Sequence, residues 1–101
     1  MKHFVLFSEF GPNVMEERVP YRAAHLAYLN SLADAGHLVL AGAFANPPDS
    51  GIMIFKAETA EEVERFGAGD PYVLNDVIKS QRVREWITVA GEGALTKVKL
   101  A

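Results

Sequence analysis

The 101-residue sequence contains no cysteine. Disulfides, thiolate metal sites and cysteine nucleophiles are therefore excluded, and histidines, carboxylates and hydroxyls remain as the groups that can carry chemistry. The sequence also lacks an apolar run long enough to span a bilayer, and its N-terminus lacks the features of a signal peptide. We expect no membrane association and a cytoplasmic location.

An excess of charge of one sign is also absent. Ten basic residues oppose thirteen acidic ones, giving a net charge of −3, and the basic residues are scattered along the chain. This pattern predicts no nucleic-acid partner. No glycine-rich, phosphate-cradling loop is present, so we expect no cofactor, and the three histidines lack the spacing of a metal site.

Half of the residues are hydrophobic, which is typical of one globular domain. A domain of this length buries a smaller share of its surface than a larger one, so association with another chain is a plausible supplement. The segment Gly91-Glu92-Gly93 interrupts the pattern near the end. We therefore predict a domain over residues 1–90 and a C-terminal tail over 91–101.

Hydrophobic periodicity, turn residues and caps predict the order strand, helix, strand, strand, helix, strand. The predicted elements are a strand at 2–10, a helix at 20–35, strands at 37–44 and 52–57, a helix at 59–67, a short helix at 71–79 and a strand at 80–90. The order is that of a ferredoxin-like α+β fold, βαββαβ, with a four-stranded antiparallel sheet. Several strands are apolar on both faces, which predicts a homodimer joined through the sheets.

Two polar residues on the first predicted helix stand out. His25 lies on or beside the apolar stripe that contains Leu29 and Leu32, and Arg22 precedes it by one turn. An imidazole at this position is either a hydrogen-bonded core histidine or a group that faces a cleft. Ser8 and Glu9, at the end of the first strand, have two interpretations: they reach the mouth of the same cleft, or they are a solvated pair, and the second is preferred.

Asp70 precedes a proline, which forces a change of backbone direction. The local interpretation is a helix N-cap, with Pro71 as the first helical residue. A capping role leaves room for a second role.

The sequence resembles the YciI-related (YCII) family of small dimeric α+β-barrel proteins over residues 2 to 90. The resemblance rests on the R-x-x-H of Arg22 and His25, on Ala41-Gly42, and on Asp70-Pro71-Tyr72. It implies a ferredoxin-like protomer, a dimer and a cleft in which His25 and Asp70 meet as a catalytic dyad. Ala23 and Ala43 depart from the family pattern, since many relatives have proline at both positions.

A histidine paired with a carboxylate is suited to proton transfer, and no serine or cysteine at a motif position supports an acyl-enzyme route. The hypothesis is a cofactor-independent enzyme for dehydrochlorinase-like elimination, isomerisation or tautomerisation of a small, aromatic-derived metabolite. Arg22 is assigned to binding a substrate oxygen or to an ion pair with Glu17, and Tyr72 to donating a hydrogen bond or to packing. The alternatives are a metabolite-binding module without turnover, and a dyad that only stabilises the fold.

Overall fold

The computed structural model of the chain describes residues 1–98 and confirms the α+β class with one four-stranded antiparallel sheet. In chain order the elements are β1 (Lys2–Phe10), α1 (Val14–Glu17), a 3-10 turn (Val19–Tyr21), α2 (Arg22–Asp34), β2 (Leu38–Ala43), β3 (Ser50–Ala57), α3 (Ala60–Ala68), α4 (Pro71–Leu74) and β4 (Ile78–Trp86). The strands are ordered β2-β3-β1-β4, so the two longest strands lie side by side at one edge of the sheet. No helix within residues 1–98 combines the length and apolar character needed to cross a bilayer.

The helices begin and end at residues that the sequence marks. The Thr59 hydroxyl accepts a hydrogen bond from the Glu62 N–H at 3.3 Å, which caps α3. The Glu62 carboxylate accepts a hydrogen bond from the N–H of Glu58 rather than from that of Thr59. After α2, Gly36 takes a φ of 85°, a left-handed conformation in which glycine is favoured.

Two predicted boundaries are wrong because of one backbone turn. The short helix ends at Leu74 instead of continuing to residue 79, since Asp76 adopts a φ of 60° and the Val77 N–H bonds to the Tyr72 carbonyl. Chain reversal there lets β4 begin at Ile78. The strand also ends earlier than expected, because Trp86 pairs with His3 at the very start of β1.

The main core lies between the sheet and the helices α2 and α3. Its buried residues are Phe4, Leu6, Leu29, Leu32, Leu38, Met53, Phe55, Ala57 and Val63. Leu26, on the same helix, is 42% exposed, and His25 occupies the buried position beside it. A second cluster of Val14, Tyr72, Val77 and Ile78 packs under α4.

The other face of the sheet has no helix over it. The strand register places Phe7 beside Ile52 and Arg82, and His3 beside Trp86. Leu40 is 67% exposed on this face. The last described residues fold back near one end of it, where the Thr96 N–H bonds to the Thr88 carbonyl at 2.9 Å. The domain boundary at residue 90 stays a prediction, and residues 99–101 of the predicted tail lie outside the described part.

Candidate active site

A pocket of about 270 Å³ opens between α2, the segment that precedes it and the sheet. Apolar side chains form most of its wall: Phe10, Val14, Leu26, Leu29, Ile52, Met53 and Ile78. Its polar groups come from four segments, with Ser8 on β1, Arg18 before the 3-10 turn, Arg22 and His25 on α2, and Tyr72 on α4. This combination of an apolar cavity and a few converging polar groups is typical of a small-molecule site.

His25 and Asp70 are brought together although 45 positions separate them in the sequence. His25 Nδ1 lies 2.7 Å from Asp70 Oδ1, and the aspartate is 1% exposed. An ionised carboxylate can only accept a hydrogen bond, so Nδ1 carries the proton in this pair. The other ring nitrogen, Nε2, makes no hydrogen bond within the described residues and is available to a ligand.

The predicted cap at Asp70 is present, and it explains how the carboxylate is positioned. Asp70 has extended backbone angles, and its Oδ1 accepts the Tyr72 N–H at 2.9 Å. Pro71 occupies the first helical position, where the N–H group that proline lacks would have no partner within the helix. One oxygen therefore accepts from both the helix N-terminus and the imidazole, while Oδ2 is buried with no partner among the described residues.

Gly69 lets this turn approach α2 closely. A Cβ atom at this position would lie 2.6 Å from the hydroxyl oxygen of Tyr28. That hydroxyl donates a hydrogen bond to the Phe66 carbonyl at 2.6 Å, which ties α2 to α3. Burial, and then the negative charge of Asp70, raise the pKa of Tyr28 above its usual value of 10.0.

Tyr72 stacks on the imidazole. The two ring centroids are 3.7 Å apart and the planes differ by 2°. Tyr72 is 3% exposed, and its hydroxyl is buried without a partner in the described structure. The stack covers one face of His25 and leaves the ring edge with Nε2 as the route of approach.

Arg22 lies at the pocket, and its alternative ion pair with Glu17 is absent from the described residues. Glu17 instead faces Lys79, with 3.5 Å between Oε2 and Nζ. The sequence interpretation overlooked one polar lining residue, Arg18. Arg18 lies one helical turn before Arg22, a spacing that could have revealed it.

Ser8 also lines the pocket, and the preferred interpretation of this residue as solvated was wrong. The residue is 2% exposed, and its hydroxyl accepts a hydrogen bond from Gln81 Nε2 at 3.3 Å. It shares a register with Phe4 and Leu6, which face the core. That alternation was visible in the sequence.

The arrangement provides the parts needed to move a proton. The carboxylate orients the ring and stabilises its charged form, so Nε2 can accept a proton from a bound molecule and return it. No group of three or more metal-ligating side chains occurs within residues 1–98. The roles of His25, Asp70, Arg22 and Tyr72 stay predictions.

Comparison with known proteins places the chain in a family. The YCII-related domain profile matches residues 1–87. An uncharacterized protein of Haemophilus influenzae is 31% identical over 80 residues, covering 70% of this chain and 82% of the relative. Protein YciI of Escherichia coli is 29% identical over 90 residues, covering 80% of this chain and 92% of that protein.

A solved structure has the same fold. It is 5-chloro-2-hydroxyhydroquinone dehydrochlorinase (TftG) from Burkholderia phenoliruptrix, in complex with 2,5-dihydroxybenzoquinone. The TM-score is 0.71 at 24% identity, with 83% of this chain and 92% of that chain covered. Together with the profile match over residues 1–87, these relatives show that the chain belongs to the YCII-related domain family.

Proposed function

We propose that the chain is a small enzyme that uses His25 and Asp70 as an acid/base pair on a small, ring-bearing metabolite. The observation that carries the proposal is the contact of 2.7 Å between Nδ1 and a carboxylate that is 1% exposed, in a ring whose Nε2 is available to a ligand in a pocket. A carboxylate that serves only as a helix cap needs no imidazole. The pair thus supports a chemical role beside the capping role.

Elimination, isomerisation and tautomerisation all need proton transfer, which this pair is suited to provide. In a dehydrochlorinase-like elimination, the reacting form is the keto tautomer of the chlorinated ring, in which the chlorine-bearing carbon is saturated. Nε2 takes a proton from a ring hydroxyl, the O–H electron pair forms a carbonyl, the ring double bond shifts towards the chlorine-bearing carbon, and chloride leaves with the C–Cl electron pair. The proton then passes from the imidazole to water. In an isomerisation or tautomerisation, the same nitrogen returns the proton to another atom of the substrate.

Arg22 and Tyr72 are proposed to bind the substrate. Arg22 would bind a carboxylate or phenolate oxygen, since guanidinium is suited to such groups. The described contact of Tyr72 is its stack on His25 at 3.7 Å, which supports a role in holding the ring. Donation of a hydrogen bond by its buried hydroxyl would require that group to become accessible.

The first experiment is a turnover assay with 5-chloro-2-hydroxyhydroquinone and related chlorinated phenols, following chloride release and absorbance. We expect turnover by the wild type and its loss in His25→Ala. His37→Ala is the matched control, because His37 lies outside the pocket and contacts Phe66. The acid/base role of His25 is rejected if His25→Ala retains turnover.

Two other outcomes would identify the alternatives. Binding of 2,5-dihydroxybenzoquinone without turnover of any compound in the panel would indicate a binding module. A lower melting temperature of His25→Ala with no ligand effect to lose would indicate a dyad that only stabilises the fold. Wild-type melting curves with and without the quinone separate these outcomes.

We also propose that a second copy of the chain covers the free sheet face. Leu40, Trp86 and Ile87 are 67%, 47% and 58% exposed there, and a face of this kind is normally buried by a partner. Sedimentation should show a dimer in the wild type and a monomer in Leu40→Glu. A wild type that sediments as a monomer at all concentrations would exclude this dimer.

A further inference from the structure

The pocket beside His25 has an unusual charge for this protein. The chain as a whole is acidic, with a net charge of −3. Yet Arg18 and Arg22 line this pocket, and no aspartate or glutamate of the described residues lines it with them. The lining therefore carries two positive charges before any contribution from His25.

The backbone holds both arginines on one side of the chain. Arg18 and the residues that follow it, up to Arg22, have helical or near-helical backbone angles. Arg18 lies directly before the 3-10 turn and Arg22 directly after it, and both side chains line the same pocket. Two like charges that face one pocket repel each other and disfavour the folded state slightly. This arrangement is explained if a negative group from outside the chain lies between them.

The nearby acids have other partners. Glu17, next to Arg18 in sequence, lies 3.5 Å from Lys79 Nζ. Asp70 is 1% exposed and bonded to His25 and the Tyr72 N–H. Neither arginine has a carboxylate within ion-pair distance in the part of the chain that the structure describes. Both guanidinium groups are thus available to a ligand.

We infer that Arg18 and Arg22 form an anion site, and that the pocket takes a small monocyclic organic anion. Its charged group lies at the arginines, its ring packs on the apolar wall near Leu29 and Met53, and its reacting atom faces His25 Nε2. The volume of about 270 Å³ is below the usual range for drug-sized ligands, which limits the ligand to about one ring. The inference rests on the proposed function for the location of the reacting atom, and adds the charge class and Arg18.

The experiment compares two probes of equal shape and different charge. Benzoate and neutral benzamide are titrated into the wild type and followed by NMR shifts of backbone amides around the pocket. We expect benzoate to bind roughly 10- to 100-fold more tightly, the range for a hydrogen bond to a charged group. Added salt should weaken benzoate binding and leave benzamide binding unchanged.

Arginine variants then assign the site. Arg18→Met and Arg22→Met keep the length of the apolar stem and remove the charge, so each should reduce the preference for benzoate by about tenfold. Arg18→Lys keeps the charge but loses the planar fork, and should give an intermediate preference. Arg65→Met is the matched control, since Arg65 lies on α3 outside the pocket.

Three results would overturn the inference: equal affinity for the two probes, no binding of either, or an effect of Arg65→Met as large as that of Arg18→Met. The proposed function fails separately. If His25→Ala keeps the preference for benzoate and no compound of the chlorinated panel is turned over, the anion site stands and the enzyme role falls. If the panel is turned over but Arg18→Met changes neither KM nor the benzoate preference, the enzyme role stands and the anion site falls.

Discussion

Replacing Asp70 by asparagine and by alanine separates the charge of this side chain from the two hydrogen bonds that it accepts. Oδ1 lies 2.7 Å from His25 Nδ1 and 2.9 Å from the Tyr72 amide nitrogen. Because two donors face the same oxygen, an asparagine side chain keeps its amide oxygen there and places its NH2 group where Oδ2 was. Asparagine therefore removes the charge and retains both hydrogen bonds, whereas alanine removes the charge and both hydrogen bonds.

The expected change in the free energy of unfolding follows from these contacts. In Asp70→Ala the helix loses its N-cap, at about 1 kcal/mol. The buried Nδ1–H of His25 also loses its acceptor, at about 1–3 kcal/mol. The sum is a loss of about 2–4 kcal/mol. In Asp70→Asn, weaker neutral hydrogen bonds are offset by the removal of a buried charge whose Oδ2 has no partner. We expect a change of about 1 kcal/mol or less.

Urea unfolding followed by circular dichroism measures both variants, and long-range proton–nitrogen NMR spectra report which ring nitrogen of His25 carries the proton. A domain of this length has a stability of about 5–15 kcal/mol, so both variants should stay folded for the spectra. We expect the proton on Nδ1 in the wild type and in Asp70→Asn, with Nδ1 losing that preference in Asp70→Ala. Equal stability of the two variants, or a His25 tautomer that none of the substitutions alters, would refute the reasoning.

Three further predictions concern the free sheet face and the surroundings of the site. Burial, and then a nearby lysine charge, lower the pKa of His3 below 6.5, so the stability from its neutral ring is present above pH 6.5 and lost as the pH falls through the lowered pKa. The urea concentration at the unfolding midpoint should thus decrease as the pH is lowered from about 7.5 to about 5, and this decrease should be smaller in His3→Gln. Gly69→Ala should lose about 1–3 kcal/mol of stability because its Cβ would lie 2.6 Å from the Tyr28 hydroxyl, whereas Gly42→Ala has open space and should change stability little; equal losses would contradict this. Absorbance titration should show Tyr28 ionising above pH 10.0, and at lower pH once Asp70→Asn removes the second cause of the raised pKa; an unchanged curve would argue against that contact.

The fold could be predicted largely from residues that cap helices and form turns. Thr59 and Gly36 mark helix ends by mechanisms that act within a few residues, so they are readable without tertiary structure. The failure at 75–79 has a different origin. The turn there depends on the positive φ of Asp76, which nothing adjacent in the sequence requires, and β4 continues into it because β1 offers partners. Long-range pairing decided that boundary.

The candidate site could also be predicted only in part from the sequence. Periodicity predicted that His25 lies on an inward-facing stripe, and Pro71 predicted the cap at Asp70. That the two side chains meet follows from the approach of α4 to α2, which no spacing encodes and which the sequence interpretation took from family resemblance. Arg18 was missed because it lies in a segment interpreted as a loop, although its register with Arg22 is helical.

Three consecutive residues account for most of the geometry around the imidazole. Asp70 supplies one oxygen to the ring and to the helix, Pro71 sets the first helical turn, and Tyr72 provides both the amide that is capped and the ring that stacks on His25. The N-cap alone would be satisfied by a serine or threonine without burying a charge. A buried carboxylate held against an imidazole adds little stability over well-packed apolar groups, and here one carboxylate oxygen has no partner among the described residues. Stability is therefore a weak reason for this fold to hold an aspartate against a histidine, which supports the proposal that the pair transfers protons in the adjoining pocket.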